Sequence, residues 1–392
     1  MLNTMRKHLS IYSINHFISG LIIILVGYTA SVALIFQAAQ TVGANLPEAT
    51  SWIFAVCMAM GIASALFSLY WKIPVVMAWS TPGVALLIIS AQGINLKQMI
   101  GVFVFVSLLT VLTGLTGAFE KLMRYVPIGI SSALLAGVLV QLTINIFPFF
   151  KTQPLLITAM FVTYWVFKYL NSRFVMFMVV LVGIMVAYFL NLLSFENYQF
   201  EFFKPVFTFP DFDFKSIIGV GIPLYLVTMT GQNIPGYTIA KNHGYNLPIS
   251  KILTGSGIIY FFMSFFGCFS LNLAALTAAI AMDKDVDKDQ EKRYLASVTS
   301  GLISIAIALF AGSIAYLLHL FPKELTLTIA GLALIGTTTN SLKSAFANYK
   351  HSEIIFIVFC VAASGVQFLG MNSAFWSFII GFILNLIFNK QK

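Results

Sequence analysis

The sequence predicts an all-α integral membrane protein with fourteen transmembrane segments, and three observations support this class. Hydrophobic residues make up 59% of the 392 residues and charged residues only 9%, whereas a soluble globular chain is about 25% charged. Apolar runs close to the length of a membrane span follow one another along the whole chain. Lysine and arginine between these runs accumulate on one side. These features exclude nucleic-acid-binding modules and leave no room for a large extramembrane domain.

The first apolar run follows a basic N-terminal stretch, an order that also occurs in secretory signal peptides. The run is too long for a signal peptide, and no cleavage site of small residues follows it, so we interpret it as the first span. The fourteen predicted segments are, in order, Phe17–Phe36, Trp52–Tyr70, Ile73–Ala91, Met99–Ala118, Val126–Phe147, Pro154–Tyr169, Phe174–Leu193, Ser216–Pro235, Pro248–Met263, Phe265–Met282, Tyr294–Ala311, Leu325–Thr339, Glu353–Leu369 and Ser373–Phe388.

The distribution of basic residues predicts the topology. Lysine and arginine in short loops accumulate on the cytoplasmic side of a membrane. If the N-terminus is inside and all fourteen runs span, 17 of the 22 basic residues lie inside. If one run in the middle of the chain did not span, every later loop would change sides and the excess of basic residues inside would be lost. We therefore expect a multi-pass protein of the cell (inner) membrane with both termini in the cytoplasm. The outside then keeps Lys97, Lys151, Lys204, Lys215 and Lys323.

A polar stretch at 194–215 divides the runs into seven and seven. We predict a first seven-span repeat over 1–193, an extracellular or periplasmic linker over 194–215 and a second repeat over 216–392. Pro127 and Pro322 are 195 residues apart, and a small-residue helix follows each of them. Because each half holds an odd number of spans, the second half is inserted upside down relative to the first. The sequence thus predicts an inverted repeat of the kind found in transporters.

No motif predicts a metal site or a cofactor. Cys57, Cys268 and Cys360 lie inside apolar runs at unrelated spacings, which is typical of small core residues. The charge-dense stretch 283–293 has neither the glycine turn nor the closing glutamate that a calcium loop requires. We interpret it as a solvated cytoplasmic loop.

The third and tenth runs carry signals of discontinuous helices, each with a short strand before a half-helix. In the third run, Ser80, Thr81 and Pro82 stand near the middle. Proline favours the first turn of a helix, so either Ser80 or Thr81 is expected to be the N-cap. In the tenth run, 190 residues further on, Ser270 is the expected cap. The alternative is that serine, threonine and proline only kink a continuous helix.

In an inverted repeat, two such half-helices meet N-terminus to N-terminus near the middle of the bilayer. Their free N–H groups and positive dipole ends favour an anionic group. Gln232 and Asn233 are adjacent amides at membrane depth in the eighth run, where they either orient a ligand or hold helices together. Tyr28 in the first run either lines the site or packs. We expect Asp, Glu, Lys and Arg at run edges or in loops only, so the predicted site has no charge and no proton relay.

Several motifs together resemble the benzoate/proton symporter (BenE) family over nearly the whole chain. They are GYTASVALIFQAA, AWSTPGVALL, GLTGAFEKLMRYVP, QNIPG and NLAALTAAI. The family is similar in fold to uracil/xanthine and sulfate permeases. The resemblance implies a core domain of runs 1–4 and 8–11, a gate domain of runs 5–7 and 12–14, and a substrate site between the third and tenth half-helices.

The resemblance also implies the substrate. Nucleobase relatives hold their substrate with acidic residues on the eighth and tenth runs, but this chain has amides, a hydroxyl and apolar groups there. An aromatic carboxylate such as benzoate fits that set better, with the proton as the expected coupling ion. The expected contacts are Ser80, Thr81, Ser270 and Asn272 as donors to the carboxylate, Gln232 and Asn233 as orienting amides, and Tyr28, Phe269 and the neighbouring Leu271 near the ring.

Three alternatives to this transporter differ in class. A nucleobase permease and an uncoupled anion facilitator could use the same fold. A membrane-embedded enzyme is disfavoured, because the sequence shows no metal cluster, no nucleophile–base pair and no acid inside a span. The expected partners are the lipid bilayer, the aromatic carboxylate and a proton, with no nucleic acid. The oligomeric state is left open, with a homodimer as one alternative.

Overall fold

The computed structural model describes residues 13–29, 31–119, 128–170, 172, 174–193, 203–347, 352–369 and 371–389. Pro127 of the predicted repeat and the first part of the predicted linker lie outside these ranges. The elements of the first half are α1 (Ile14–Thr29), α2 (Val32–Thr41), α3 (Leu46–Trp71), β1 (Met77–Ala78), α4 (Thr81–Ser90), α5 (Leu96–Thr116), α6 (Ile128–Ile144), α7 (Phe149–Thr152), α8 (Pro154–Tyr169) and α9 (Val175–Phe189).

The second half repeats this alternation of long helices and one short strand. Its elements are α10 (Phe214–Asn242), α11 (Ile249–Ser264), β2 (Asn272–Leu273), α12 (Leu276–Met282), α13 (Tyr294–Leu309), α14 (Ala311–Leu320), α15 (Lys323–Phe346), α16 (Ser352–Ser364) and α17 (Ser373–Asn389).

The protein is mostly helical, and its helices are apolar. Among the described residues, six helices are long and apolar enough to cross a membrane, and the bent pair α13 and α14 adds a seventh if it counts as one span. Each of the fourteen predicted runs overlaps a helix of the structure. Several of these helices are shorter than the roughly 20 residues that a bilayer requires. The count of fourteen spans therefore stays a prediction.

Reciprocal caps fix where two of the long helices begin. At the start of α3, the Glu48 N–H donates to the Asn45 side chain, and the Asn45 N–H donates back to the Glu48 carboxylate. Asn95 and Gln98 repeat the arrangement at the start of α5. Such capping boxes satisfy N–H groups that the first helical turn leaves unpaired. Both helices thus start from polar loops and continue into the apolar interior.

Helix packing falls into two groups. In the first group, α3 packs along α13 and α5 packs along α11, while in the second group α6 packs against α15 and α16. Gly61 and Gly301 let the backbones of α3 and α13 approach closely, because a Cβ atom on either glycine would lie 2.7 Å from the carbonyl oxygen of the other. Close approach through small residues is how helices associate in a membrane.

The two short strands join the halves of the chain. β1 and β2 are antiparallel, with Met77 opposite Leu273 and Ala78 opposite Asn272. The other edge of β1 is held by two serines of α3. Ser64 and Ser68 each accept a hydrogen bond from a backbone N–H of the segment at β1 and donate to a carbonyl oxygen there. The extended segment is therefore satisfied on both edges, as irregular backbone at membrane depth must be.

The acidic loop after α12 is tied to the helical body. Arg293 donates to the carbonyl oxygens of Met282 and Asp287. The Asp287 carboxylate lies 3.2 Å from Nε2 of His16, a side chain that is fully buried at the start of α1. In the exposed part of the loop, the N–H of Glu291 and the contact with Lys292 lower the pKa of Asp289. These contacts hold the loop against the end of α12.

Candidate functional site

A cavity of about 670 Å³ lies between the two groups of helices. Its walls are α1, α3, β1, α4, α10, α12 and α13 on one side, and α6, α8 and α15 on the other. Its lining residues include Ile23, Ile24, Tyr28, Trp79, Thr81, Leu135, Lys168, Gln232, Pro235, Thr277, Ser304, Gly336, Thr337, Asn340, Ser341 and Ser344. Ligand pockets of roughly 300–1,000 Å³ are usual for small molecules.

The N-terminus of α4 opens onto this cavity. Ser80 is the N-cap, because its Oγ accepts a hydrogen bond of 2.9 Å from the Gly83 N–H. Pro82 has no N–H, and the Val84 N–H donates to the Ser80 carbonyl oxygen. Within the described residues, the Thr81 N–H is the donor of this first turn that has no acceptor. Thr81 therefore presents both a backbone donor and a hydroxyl to the cavity at the positive end of the helix dipole.

The tenth run differs from the prediction at Ser270. The helix α12 begins at Leu276, its N-cap position is Ala275, and no side chain caps it. The prediction that Ser270 caps this helix is therefore wrong. Ser270 precedes β2 instead, and its Oγ accepts a hydrogen bond of 2.8 Å from the Ser80 N–H. That contact spans 190 residues of sequence.

Two π-helical turns interrupt α10, at Ile217–Gly221 and at Met229–Asn233. A π turn inserts one residue into a helix and changes the direction of the side chains that follow, often at functional sites. In the second turn, Gln232 lines the cavity. Its neighbour Asn233 is fully buried and contacts the second strand. Asn233 accepts from the Leu273 N–H at 2.9 Å and donates to Asn272 Oδ1 at 3.0 Å.

Aromatic side chains form one wall of the cavity. The rings of Tyr28 and Trp79 pack edge to face with centroids 4.8 Å apart. The Tyr28 hydroxyl pairs with Ser304 Oγ at 2.5 Å, and Trp79 Nε1 donates to Ser31 Oγ at 2.8 Å. These bonds fix both rings. Phe269, by contrast, is fully buried and packs against Trp52 outside the cavity lining.

The predicted site residues divide between the lining and the frame of the cavity. Tyr28, Thr81 and Gln232 line it. The other predicted residues are buried and absent from the lining: Ser80, Asn233, Phe269, Ser270, Leu271 and Asn272. Their contacts join α4, α10 and the two strands. The sequence interpretation missed Trp79, although the serine and proline that follow it mark the start of α4.

A polar face of α15 was also missed. It follows the helical spacing of Gly336, Thr337, Asn340, Ser341 and Ser344. The run of three threonines and an asparagine in this otherwise apolar helix is the signal that could have indicated it. Periodic polar residues on an apolar helix are typical of a face that meets water or a ligand.

The cavity also contains a charge that the sequence interpretation did not place there. Among the described residues, Lys168 in the last turn of α8 is the one charged residue of the lining, which includes no Asp, Glu or His. A second cavity of about 280 Å³ lies at the other end of α4, where Ser90 lines it together with Gln92, Asp213 and Asn372. The two ends of α4 thus face different cavities.

The replacement Asn233→Ala should destabilise the protein. It leaves the Leu273 N–H and Asn272 Oδ1 buried without partners, and each such group costs about 1–3 kcal/mol. We expect a clear fall of the melting temperature of the purified protein in detergent. Asn242→Ala, at the exposed end of the same helix, is the matched control and should leave the melting temperature near that of the wild type. Equal melting temperatures of the two variants would contradict the assigned role of Asn233.

Two relatives match this chain over all or nearly all of its length. The sequence is 33% identical to the benzoate membrane transport protein of Acinetobacter baylyi over 392 residues, which covers 100% of this chain and 99% of that protein. It is 34% identical to the inner membrane protein YdcO of Escherichia coli over 379 residues, which covers 96% of this chain and 97% of that protein.

Solved structures share the fold at low sequence identity. The transmembrane domain of the cyanobacterial bicarbonate transporter BicA superposes with a TM-score of 0.63 and 12% identity, covering 94% of this chain and 96% of that chain. The murine Solute Carrier 26 family member A9 anion transporter, in an inward-facing state, superposes with a TM-score of 0.62 and 16% identity, covering 96% of this chain and 69% of that chain. The fold is therefore that of a known group of membrane transporters.

The family assignment rests on nearly the whole sequence. Residues 10–387 match the family described as BenE, benzoate membrane transport protein. Together with relatives that are 33–34% identical over almost their full length, this match shows that the chain belongs to the BenE family of membrane transport proteins.

Proposed function

We propose that the protein is a secondary active transporter of an aromatic carboxylate such as benzoate, coupled to protons, that works by alternating access. The family is one of membrane transport proteins, and the structural neighbours include transporters of anions. The curated relative from Acinetobacter carries benzoate in its name. The finer assignment of substrate and coupling depends on the chemistry of the cavity.

The observation that carries the proposal is the uncharged set of donors around the start of α4. Thr81, at the positive end of the helix dipole, offers an N–H and a hydroxyl, and the Gln232 amide of the neighbouring α10 lines the same cavity. A helix N-terminus binds anions through such N–H groups. A carboxylate binds there by hydrogen bonds and dipoles, which permit release as well as binding.

The remaining walls suit an aromatic ring. Tyr28 and Trp79 present ring surface, and Ile23, Leu135 and Pro235 add apolar contact. Aromatic pairs in edge or offset contact contribute about 0.5–1.5 kcal/mol beyond the area that they bury. Because Tyr28 and Trp79 are held by Ser304 and Ser31, their rings are oriented before a ligand arrives. A benzoate with its carboxylate at Thr81 would therefore find its ring among aromatic and apolar groups.

The packing pattern supports alternating access between an inverted pair of seven-span repeats. If the runs are numbered from 1 to 14, the contact of α3 with α13 joins runs 2 and 11, and the contact of α5 with α11 joins runs 4 and 9. If every run number is shifted by seven, runs 2 and 11 become runs 9 and 4, so the two halves of the chain make equivalent contacts. We propose that the first packing group is the core domain and that the second, with α6 and α15, is the gate. The cavities at the two ends of α4 would then belong to opposite faces of the membrane.

The proton is the coupling ion that we propose. In the part of the chain that the structure describes, the cavity lining includes no Asp, Glu or His, whereas a proton relay in a membrane usually uses one of these residues. The proton is then carried either by the carboxyl group of the substrate or by a group elsewhere in the chain. Uptake in the presence and absence of a pH gradient separates coupled transport from an uncoupled anion facilitator.

The test is uptake of labelled benzoate into proteoliposomes that contain the purified protein. We expect saturable uptake that accumulates benzoate above the external concentration when the outside is more acidic than the inside. Empty liposomes under the same gradient correct for neutral benzoic acid that crosses the lipid alone. Excess unlabelled uracil should leave uptake unchanged.

Each other outcome contradicts one part of the proposal. Uptake no greater than that of empty liposomes contradicts benzoate transport. Saturable uptake that is independent of the pH gradient, with an internal benzoate concentration that never exceeds the external one, contradicts proton coupling and supports a facilitator. Strong inhibition by uracil favours a nucleobase permease.

A further inference from the structure

Lys168 has a position that the proposed substrate site does not explain. It lies in the last turn of α8 and lines the same cavity as Thr81 and Gln232. It is exposed, whereas Tyr28 at the inner end of the cavity is 7% exposed. Among the described residues, the one cation of the lining is therefore an exposed side chain.

The polar face of α15 lines the same cavity as Lys168. Its lining residues run from Ala333 to Ser344, and eleven residues of helix rise about 16 Å. On this face, Gly336 and Thr337 are half-buried, Ser341 is buried, and Asn340 and Ser344 are exposed. Hydroxyl and amide groups thus line the cavity over the length of this face.

A structural role for Lys168 would be to neutralise the carbonyl groups at the end of α8, as basic residues often do at helix C-termini. Lys343 supplies a comparison, because it lies in the last turn of α15, is also exposed and is absent from the cavity lining. A charge that only stabilises a helix end would act alike at both positions. A charge that acts on an anion in the cavity would act at Lys168 alone.

We propose that Lys168 is a capture site for the substrate carboxylate at the opening of the cavity. It draws the anion in and passes it along the polar face of α15 to the donors at Thr81. Walls of low dielectric constant focus the field of a single charge in such a cleft and raise the local concentration of an oppositely charged ligand. The site takes small carboxylates as a class, and this inference rests on the proposed function.

Calorimetric titration of the purified protein with benzoate, at low and at high salt, tests this inference. Lys168→Gln should weaken benzoate binding roughly three- to tenfold at low salt. The difference should nearly vanish at 1 M salt, where the Debye length is about 3 Å. Lys168→Arg should bind as the wild type does, and Lys343→Gln should change the affinity less than about twofold. Since Lys168 is exposed, its variants should keep the melting temperature of the wild type.

The outcomes separate this inference from the proposed function. Wild-type binding that Lys168→Gln leaves unchanged at low salt overturns the capture site and leaves the benzoate assignment intact. An equal loss at low and high salt, or an equal loss in Lys343→Gln, also overturns the capture site, because neither pattern is that of a local charge. An absence of benzoate binding by the wild-type protein contradicts the proposed function itself.

Discussion

Gln232→Glu should reduce benzoate affinity by at least roughly a hundredfold. The two side chains have the same shape, but the variant places a carboxylate in the lining of the cavity that holds the donors at Thr81. Like charges that face each other at a binding site cost several kcal/mol, and each 1.4 kcal/mol is a factor of ten in affinity. Calorimetric titration with benzoate, together with initial uptake rates in proteoliposomes, measures the effect.

Gln40→Glu is the matched control for this prediction. Gln40 is exposed on α2 and is absent from the cavity lining, so the same change of charge there should leave benzoate affinity near that of the wild type. Equal affinities in the wild type and Gln232→Glu would show that the substrate carboxylate binds elsewhere. Equal losses in both variants would indicate an effect of net charge.

Gly267→Ala should prevent the protein from folding into its present structure. Gly267 joins α11 to the segment before β2 and has φ +97°, a conformation that L-residues rarely adopt. A Cβ atom there would lie 1.9 Å from Cδ1 of the buried Trp52. Backbone strain of about 1–2 kcal/mol adds to an overpacking cost of about 1–3 kcal/mol. We expect a large loss of monodisperse protein in size-exclusion chromatography and a much lower melting temperature.

Gly43→Ala separates the two causes. Gly43 also has a positive φ, +76°, but no atom lies within 4 Å of the position that a Cβ would take. This variant should therefore show only the backbone cost of about 1–2 kcal/mol. If Gly267→Ala and Gly43→Ala have the same melting temperature, overpacking against Trp52 does not add to the cost of the substitution.

The sequence predicts the start of α4 well because the signals there are local. Ser80 caps the helix through Gly83, three residues away, and Pro82 stands in the first turn where proline is favoured. The same reasoning fails for Ser270. Its hydrogen-bond partner is the Ser80 N–H, which is distant in sequence. A local pattern cannot identify a partner of that kind.

The lining of the cavity is less predictable for a second reason. Gln232 and Asn233 are neighbours of similar chemistry, yet only Gln232 lines the cavity, and the π turn at Met229–Asn233 shifts the helical phase from which a lining could be counted. A periodicity of 3.6 residues assumes an unbroken α-helix. The position of Lys168 in the lining depends on how α8 packs against α15, and loop charges counted from the sequence indicate sidedness only.

The pairing of β1 with β2 also bears on the order in which the protein is made. During synthesis Ala78 leaves the ribosome almost two hundred residues before its strand partner Asn272. Ser64 and Ser68 precede β1 in the chain, so they can satisfy one edge of the segment as soon as α3 is inserted. The other edge of β1 has no hydrogen-bond partner until β2, in the second half of the chain, has been synthesised. The two serines therefore keep a half-finished cavity wall compatible with lipid until translation supplies its complement.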